Sequence, residues 1–131
     1  MSKVLVVDDA HDGADSLALL FQALGHQTAT AYDGAQAVEA SHGFLPDFII
    51  LDIEMPLMNG FEAAKALRTR RPVAPPVLIA LTALTGADVE QHTLDSGFDF
   101  YLSKPADLGR LVAIVDVNGG AHESAPSRLP G

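Results

Sequence analysis

The chain of 131 residues contains no cysteine, which excludes disulfide scaffolds and thiolate metal sites and suits a reducing, cytoplasmic setting. Basic residues are also scarce: 8 Lys and Arg stand against 17 Asp and Glu, a formal charge of −9. That balance argues against a basic face gripping a nucleic-acid backbone. The one crowd of cations, Lys65, Arg68, Arg70 and Arg71, reads as solvated charge near a helix C-terminus, where the dipole favours it. No apolar run approaches the roughly 18 residues that cross a bilayer, and the start, MSKVLVV, lacks a secretory core. The expectation is one soluble cytoplasmic domain that binds neither nucleic acid nor membrane and is large enough to bury a core without covalent staples.

What the chain does have is apolar runs of strand length. These are VLVV at 4–7, FIIL at 48–51 and VLIAL at 77–81, with weaker candidates at 27–31 and 99–103. The strong runs are continuous rather than alternating, as in strands covered on both faces. Helical spacing lies between them. Leu17, Leu20, Phe21 and Leu24 fall at i, i+3, i+4 and i+7, followed by Gly25 where a C-terminal glycine belongs, and Leu108, Leu111, Val112 and Val115 repeat the spacing. Further helices are expected from Asp33 to about His42, from about Gly60 to Arg71, and near 88–96. The last has little beyond Val89 and Leu94 to anchor it and should pack lightly. Alternation of strand and helix implies an α/β fold, a doubly wound parallel sheet with right-handed crossovers. From about Val117 the sequence loses periodicity (NGGAHESAPSRLPG), so residues 1–116 are read as the domain and 117–131 as a disordered tail.

In such sheets ligands bind at the carboxyl ends of the strands. There the sequence places Asp8 and Asp9 after the first run, Asp52 after the second, Thr82 after the third and Lys104 after the fifth. Each has an ordinary explanation when taken singly: a loop or N-cap aspartate, a β-branched strand residue, a solvated lysine. Together they make one acidic cleft with a hydroxyl and an ammonium. Clustered aspartates stay ionised only with a compensating cation, and hard oxygen donors with room for water suit Mg²⁺ or Mn²⁺.

These residues carry a resemblance. The acidic pair Asp8-Asp9, the run LDIEMPLMNG at 51–60, Leu81-Thr82-Ala83 and Lys104-Pro105 resemble a response regulator receiver domain of two-component signalling, over roughly residues 3 to 116. The resemblance implies a flavodoxin-like (βα)5 fold with strand order 2-1-3-4-5. It implies that Asp52 is the phosphoacceptor, taking a phosphoryl group from a phosphohistidine of a histidine kinase or histidine phosphotransfer protein. Asp9 and Asp52 would hold the metal through carboxylates and Glu54 through its backbone carbonyl, with Asp8 acting mainly through water. Thr82 and Lys104 would contact phosphoryl oxygens. Thr82 and Tyr101 would form the switch, read by a downstream protein on the face of the fourth helix, fifth strand and fifth helix, and the Lys104-Pro105 peptide would be cis. Asn59 stands where many members carry Asp, and Gly109 inside the last helix costs roughly 1 kcal/mol relative to Ala. Leu84, offering no hydrogen bond to a hydrolytic water, is expected to slow loss of the phosphoryl group, while Glu54 could position water or repel it.

A Mg²⁺-dependent aspartyl-nucleophile phosphatase of the haloacid dehalogenase type is the rival from another class. It needs an Asp-x-Asp pair on its first strand, whereas Asp8 and Asp9 are contiguous. A receiver-like scaffold without phosphoacceptor chemistry has no use for the charge cluster. The initial Met and short tail favour a stand-alone receiver over one cut from a hybrid histidine kinase, and none of the 5 histidines resembles a phosphotransfer site. His11 reads as a loop residue beside the acidic pair.

Overall fold

The continuous apolar runs become a sheet in the computed structural model, which describes residues 2–53, 64–67, 76–82, 87–103 and 108–124, with the backbone alone at 87, 89 and 117–124. β1 (Lys3–Val7), β2 (Gln27–Ala31), β3 (Phe48–Asp52), β4 (Val77–Thr82) and β5 (Phe100–Ser103) pair in parallel in the order β2-β1-β3-β4-β5. Between them lie α1 (His11–Ala23), α2 (Gly34–Phe44), the helical residues 64–67 (α3) and α4 (Ala87–Asp95), and α5 (Leu108–Ser124) follows β5. This is the doubly wound flavodoxin-like arrangement expected from the sequence.

The period of two along each strand sorts the core into halves. Val4, Val6, Phe48, Ile50, Ile79 and Leu81 pack with Ala14, Ala18 and Phe21 of α1 and with Leu111, Ile114 and Val115 of α5. Leu5, Val7, Ile49, Leu51, Leu78 and Ala80 face the other way, onto Ala37 of α2 and Ala64 and Leu67 of α3. Both faces of β1, β3 and β4 are therefore covered, which is why their sequences run apolar without alternation.

Two helix ends differ from the periodicity. Leu24 belongs to the apolar stripe of α1 by spacing, yet it is the C-cap and 49% exposed. Gly25, at φ 97, takes the left-handed conformation, its N–H donates to the Gln22 carbonyl, and the His26 N–H donates to that of Phe21. This Schellman turn swings the chain away before Leu24 can reach the core. α2 starts where expected, with the Asp33 carboxylate accepting the Gln36 N–H at 2.7 Å, but it runs through Gly43 to Phe44 and ends on Leu45 at φ 52. Leu45 is half exposed and does a glycine's task, so Leu45→Gly is expected to raise stability by roughly 0.5 kcal/mol, the steric relief slightly exceeding the extra chain entropy. Thermal denaturation of the pair checks this. At the other end of the chain, α5 does not stop at residue 116, where the apolar spacing fades, but continues as helix to Ser124.

Strands β3 and β5 are each introduced by an Asp-Phe pair, a repeat the sequence reading passed over. The Asp47 N–H donates to the Lys3 carbonyl while its carboxylate accepts the Lys3 N–H at 2.9 Å. Asp99 repeats the arrangement on β4, donating to the Leu78 carbonyl and accepting the Leu78 N–H at 2.9 Å. Each carboxylate thus fixes the parallel register at its first rung. Asp99→Ala, which strands the Leu78 N–H, is expected to cost about 1–3 kcal/mol in urea denaturation.

Of the two anchors the sequence suggests for α4, Leu94 does not serve and the Val89 side chain lies outside the described residues. Leu94 is 44% exposed, and the side chain that α4 buries among the described residues is Thr93. No helix of the described residues is long and apolar enough to cross a membrane.

Candidate functional site

Register brings the carboxylates together. Val7 of β1 pairs with Leu51 of β3, so the next residues, Asp8 and Asp52, emerge level at the carboxyl edge, with Asp9 one step beyond. Asp8 is held on both sides: its N–H donates to the Ala31 carbonyl at 3.1 Å, and its Oδ1 accepts the Ala10 N–H at 3.0 Å. Carboxylate oxygens of Asp8, Asp9 and Asp52 lie within 4.8 Å of one another. Burial grades across them, with Asp52 only 4% exposed, Asp8 half-buried and Asp9 exposed. The cluster is therefore rooted in the sheet and open to solvent on one side.

β4 and β5 complete the edge. Asp52 pairs with Leu81, and the Ile53 N–H donates to the Leu81 carbonyl at 3.2 Å, tying the segment after Asp52 to β4. Thr82 follows, fully buried, and pairs with Ser103, the last residue of β5. Tyr101 lies two residues earlier on β5, half-buried and level with Ala80. Glu54, Asn59, Leu84, Lys104 and the Lys104-Pro105 peptide lie outside the described residues, as do the ends expected for the third helix.

The sequence reading missed a cluster beside the acidic pair. His11 is not a loop residue but the first residue of α1, and its ring stacks on Tyr32 with centroids 3.7 Å apart and planes at 15°. The Tyr32 hydroxyl donates to the Asp15 carboxylate at 2.7 Å and accepts from Thr30, while the Tyr32 N–H donates to the Gln36 side chain. The available signal was the spacing of His11 and Asp15, which places both on one side of a helical first turn.

Three carboxylates converging at the carboxyl edge of a doubly wound parallel sheet define an α/β domain whose acidic cluster is consistent with a metal site. The comparisons with known proteins agree. The chain matches the response regulator receiver domain over residues 4–116, and it belongs to that family. Among curated relatives, the transcriptional regulatory protein PrrA of Mycobacterium tuberculosis is 40% identical over 113 residues, 86% of this chain and 48% of that protein. The DNA-binding response regulator MtrA of Mycolicibacterium smegmatis is 34% identical over 127 residues, 97% of this chain and 54% of that protein. The chain thus spans about half the length of these relatives. Of solved structures, the Vibrio cholerae chemotaxis protein CheY4 superposes with a TM-score of 0.81 at 31% identity, covering 88% of this chain and 97% of that one. A chain from the co-crystal of the Saccharomyces cerevisiae histidine phosphotransfer protein Ypd1 with the receiver domain of its downstream response regulator Ssk1 superposes with a TM-score of 0.85 at 26% identity, covering 92% and 90%. Residues 4–116 thus form a phosphoacceptor signalling domain of the two-component type, with phosphorylation as its chemistry.

Proposed function

We propose that Asp52 is the phosphoacceptor of this receiver and that its donor is a phosphohistidine on a histidine kinase or histidine phosphotransfer protein. The observation that carries this reading is the convergence of Asp8, Asp9 and Asp52 within 4.8 Å at the strand ends, with Asp52 the most deeply set. Hard carboxylate oxygens, one of them on an exposed residue, fit a small divalent cation that keeps part of its water. Asp9 and Asp52, with the Glu54 backbone carbonyl and Asp8 acting mainly through water, would hold Mg²⁺ or Mn²⁺. When bound, that ion neutralises charge on the phosphoryl oxygens.

An Asp52 carboxylate oxygen attacks phosphorus in line. The O–P bond forms as the P–N bond to the donor imidazole breaks, and the electron pair returns to nitrogen. Thr82 donates its hydroxyl to a phosphoryl oxygen, and the Lys104 ammonium offsets charge on another. Little covalent work falls to the protein, so alignment carries the rate.

The response follows from the packing of α4 and β5. Drawing Thr82 toward the phosphoryl group opens space behind it, and Tyr101 turns inward from β5. With Leu94 exposed and Thr93 buried on α4, two packings of this region separated by a few kcal/mol are sufficient for a switch. A downstream protein reads the face formed by α4, β5 and α5. The receiver unit comprises residues 1–116, in line with the family match over 4–116. A phosphotransfer partner is supported by the co-crystallised neighbour described above, and a cytoplasmic setting by the absence of cysteine.

The test is intact-mass analysis after incubation with Mg²⁺ and acetyl phosphate or phosphoramidate, comparing wild type with Asp52→Ala. A metal-dependent gain of one phosphoryl group, absent from the variant, is expected. If small donors and cognate phosphohistidine proteins alike leave wild type unmodified, the reading fails.

A further inference from the structure

The helix that follows the acidic pair starts without a side-chain cap. Its N-cap is Ala10, extended at φ −79 and ψ 101, which makes no side-chain cap hydrogen bond. Alanine carries no oxygen for the open N–H groups, so local support for a helix beginning here comes down to Asp12 in the first turn and the Asp8 carboxylate on the Ala10 N–H.

This start matters because the first turn frames Asp8. The Ala10 N–H donates to Asp8 Oδ1 at 3.0 Å. On the other side, a Cβ placed on Gly13 would sit 3.7 Å from Asp8 Oδ2. The Oδ1 atom of Asp8 is therefore tied to where residue 10 lies, and Gly13 leaves room beside Oδ2.

Tyr32 holds this turn from outside the helix through the turn's side chains, without accepting from the open N–H groups. Its ring stacks on His11 and its hydroxyl donates to Asp15, two residues one turn apart. Tyr32 is itself anchored, through its N–H to Gln36 on α2 and through its hydroxyl, which accepts from Thr30 on β2. Asp8 is tied to the same strand end by its N–H on the Ala31 carbonyl. The grip on α1 and the orientation of Asp8 thus share one support.

We propose that Tyr32 is a positioning residue for the metal-binding carboxylates: by clamping His11 and Asp15 it fixes the start of α1, and through the Ala10 N–H it sets the orientation of Asp8. The proposal rests on the reading of Asp8, Asp9 and Asp52 as the Mg²⁺ site. Without the clamp the first turn frays, Asp8 loses its Ala10 partner, and the site must be ordered when the cation binds, which lowers affinity.

The experiment is calorimetric titration with MgCl₂ of wild type, Tyr32→Phe, Tyr32→Leu and Ala10→Ser/Tyr32→Leu, each with its metal-free melting temperature. Tyr32→Leu, which loses both stack and hydroxyl, is expected to bind Mg²⁺ about tenfold more weakly, within the range for partners that orient metal ligands. Tyr32→Phe keeps the stack and is expected to lose about threefold, since one of its two grips remains. Ser at position 10 supplies a cap oxygen to the same turn, and the double variant should recover most of the affinity without the tyrosine. A role confined to stability would lower the melting temperature and leave the Mg²⁺ affinity of the folded variants unchanged. Unchanged affinity in folded Tyr32→Leu overturns the proposal, as does unchanged affinity in Tyr32→Phe if Tyr32→Leu does not fold. Absence of Mg²⁺ binding by wild type overturns the site reading and this proposal together.

Discussion

Replacing Asp52 by Asn is expected to leave the protein unable to take up a phosphoryl group and, in the absence of metal, more stable than wild type. The first effect removes the nucleophilic oxygen. The second follows from like charges gathered within 4.8 Å, one of them on a residue only 4% exposed. At an effective dielectric constant of about 20, two unit charges at that separation repel by roughly 3 kcal/mol. Asp9 is exposed and its share is screened, so a net gain of about 1–2 kcal/mol is expected for Asp52→Asn. Magnesium reverses the order. At a hundred times its dissociation constant a ligand stabilises its folded host by about 2.7 kcal/mol, an increment wild type should show and Asp52→Asn should lack. Melting curves with and without MgCl₂ should therefore cross: the variant melts higher without metal and lower with it. A variant that melts lower than wild type without metal would show that the carboxylates are compensated by something other than a bound cation.

Phe21→Ala is expected to cost about 3–5 kcal/mol, the range for truncating a buried Phe. The loss falls at the high end because the site cannot collapse. The fully buried stripe of α1 otherwise consists of Ala14 and Ala18, with Leu17 packed at its margin, so Phe21 is the largest side chain that α1 sets into the cluster with Val4, Val6 and Leu111. Phe21 also meets the His26 ring edge-on at 5.8 Å, and His26 Nδ1 accepts the Ser2 N–H. The cavity would thus undermine the α1–β2 turn and the start of β1 as well. Urea denaturation is the check, with the midpoint falling and the slope nearly unchanged. Leu19→Ala on the same helix, where the side chain is 63% exposed, should change stability by less than about 0.5 kcal/mol. A similar small loss for Phe21→Ala would mean that α1 is held mainly by its ends.

Much of this fold is written locally. VLVV, FIIL and VLIAL read as covered strands because parallel strands need apolar residues on both faces, and their ends match β1, β3 and β4 to within a residue. The acidic site was legible for a related reason. A strand of known direction ends at a known edge, so residues following several parallel strands must meet there, as Asp8, Asp9 and Asp52 do.

The start of α1 was not legible. The periodicity of Leu17, Leu20, Phe21 and Leu24 marks a helix without saying where it begins, and Ala10 gives no cap signal. Leu24 and Leu94 were misplaced for the complementary reason: spacing says which residues share a face, but not whether that face meets the core, and the turn at Gly25 carries Leu24 away from it.

By itself the sequence determined the class of fold, the strands, and which carboxylates meet at the carboxyl edge, because hydrophobic period and parallel direction are properties of short segments and of their order. Only the tertiary structure decided how that edge is braced, through Tyr32 on His11 and Asp15, and how the opposite edge is pinned, through Asp47 and Asp99 on the neighbouring strands. Those contacts join residues distant in the chain, and their partners acquire a distance and an angle only once the sheet has formed.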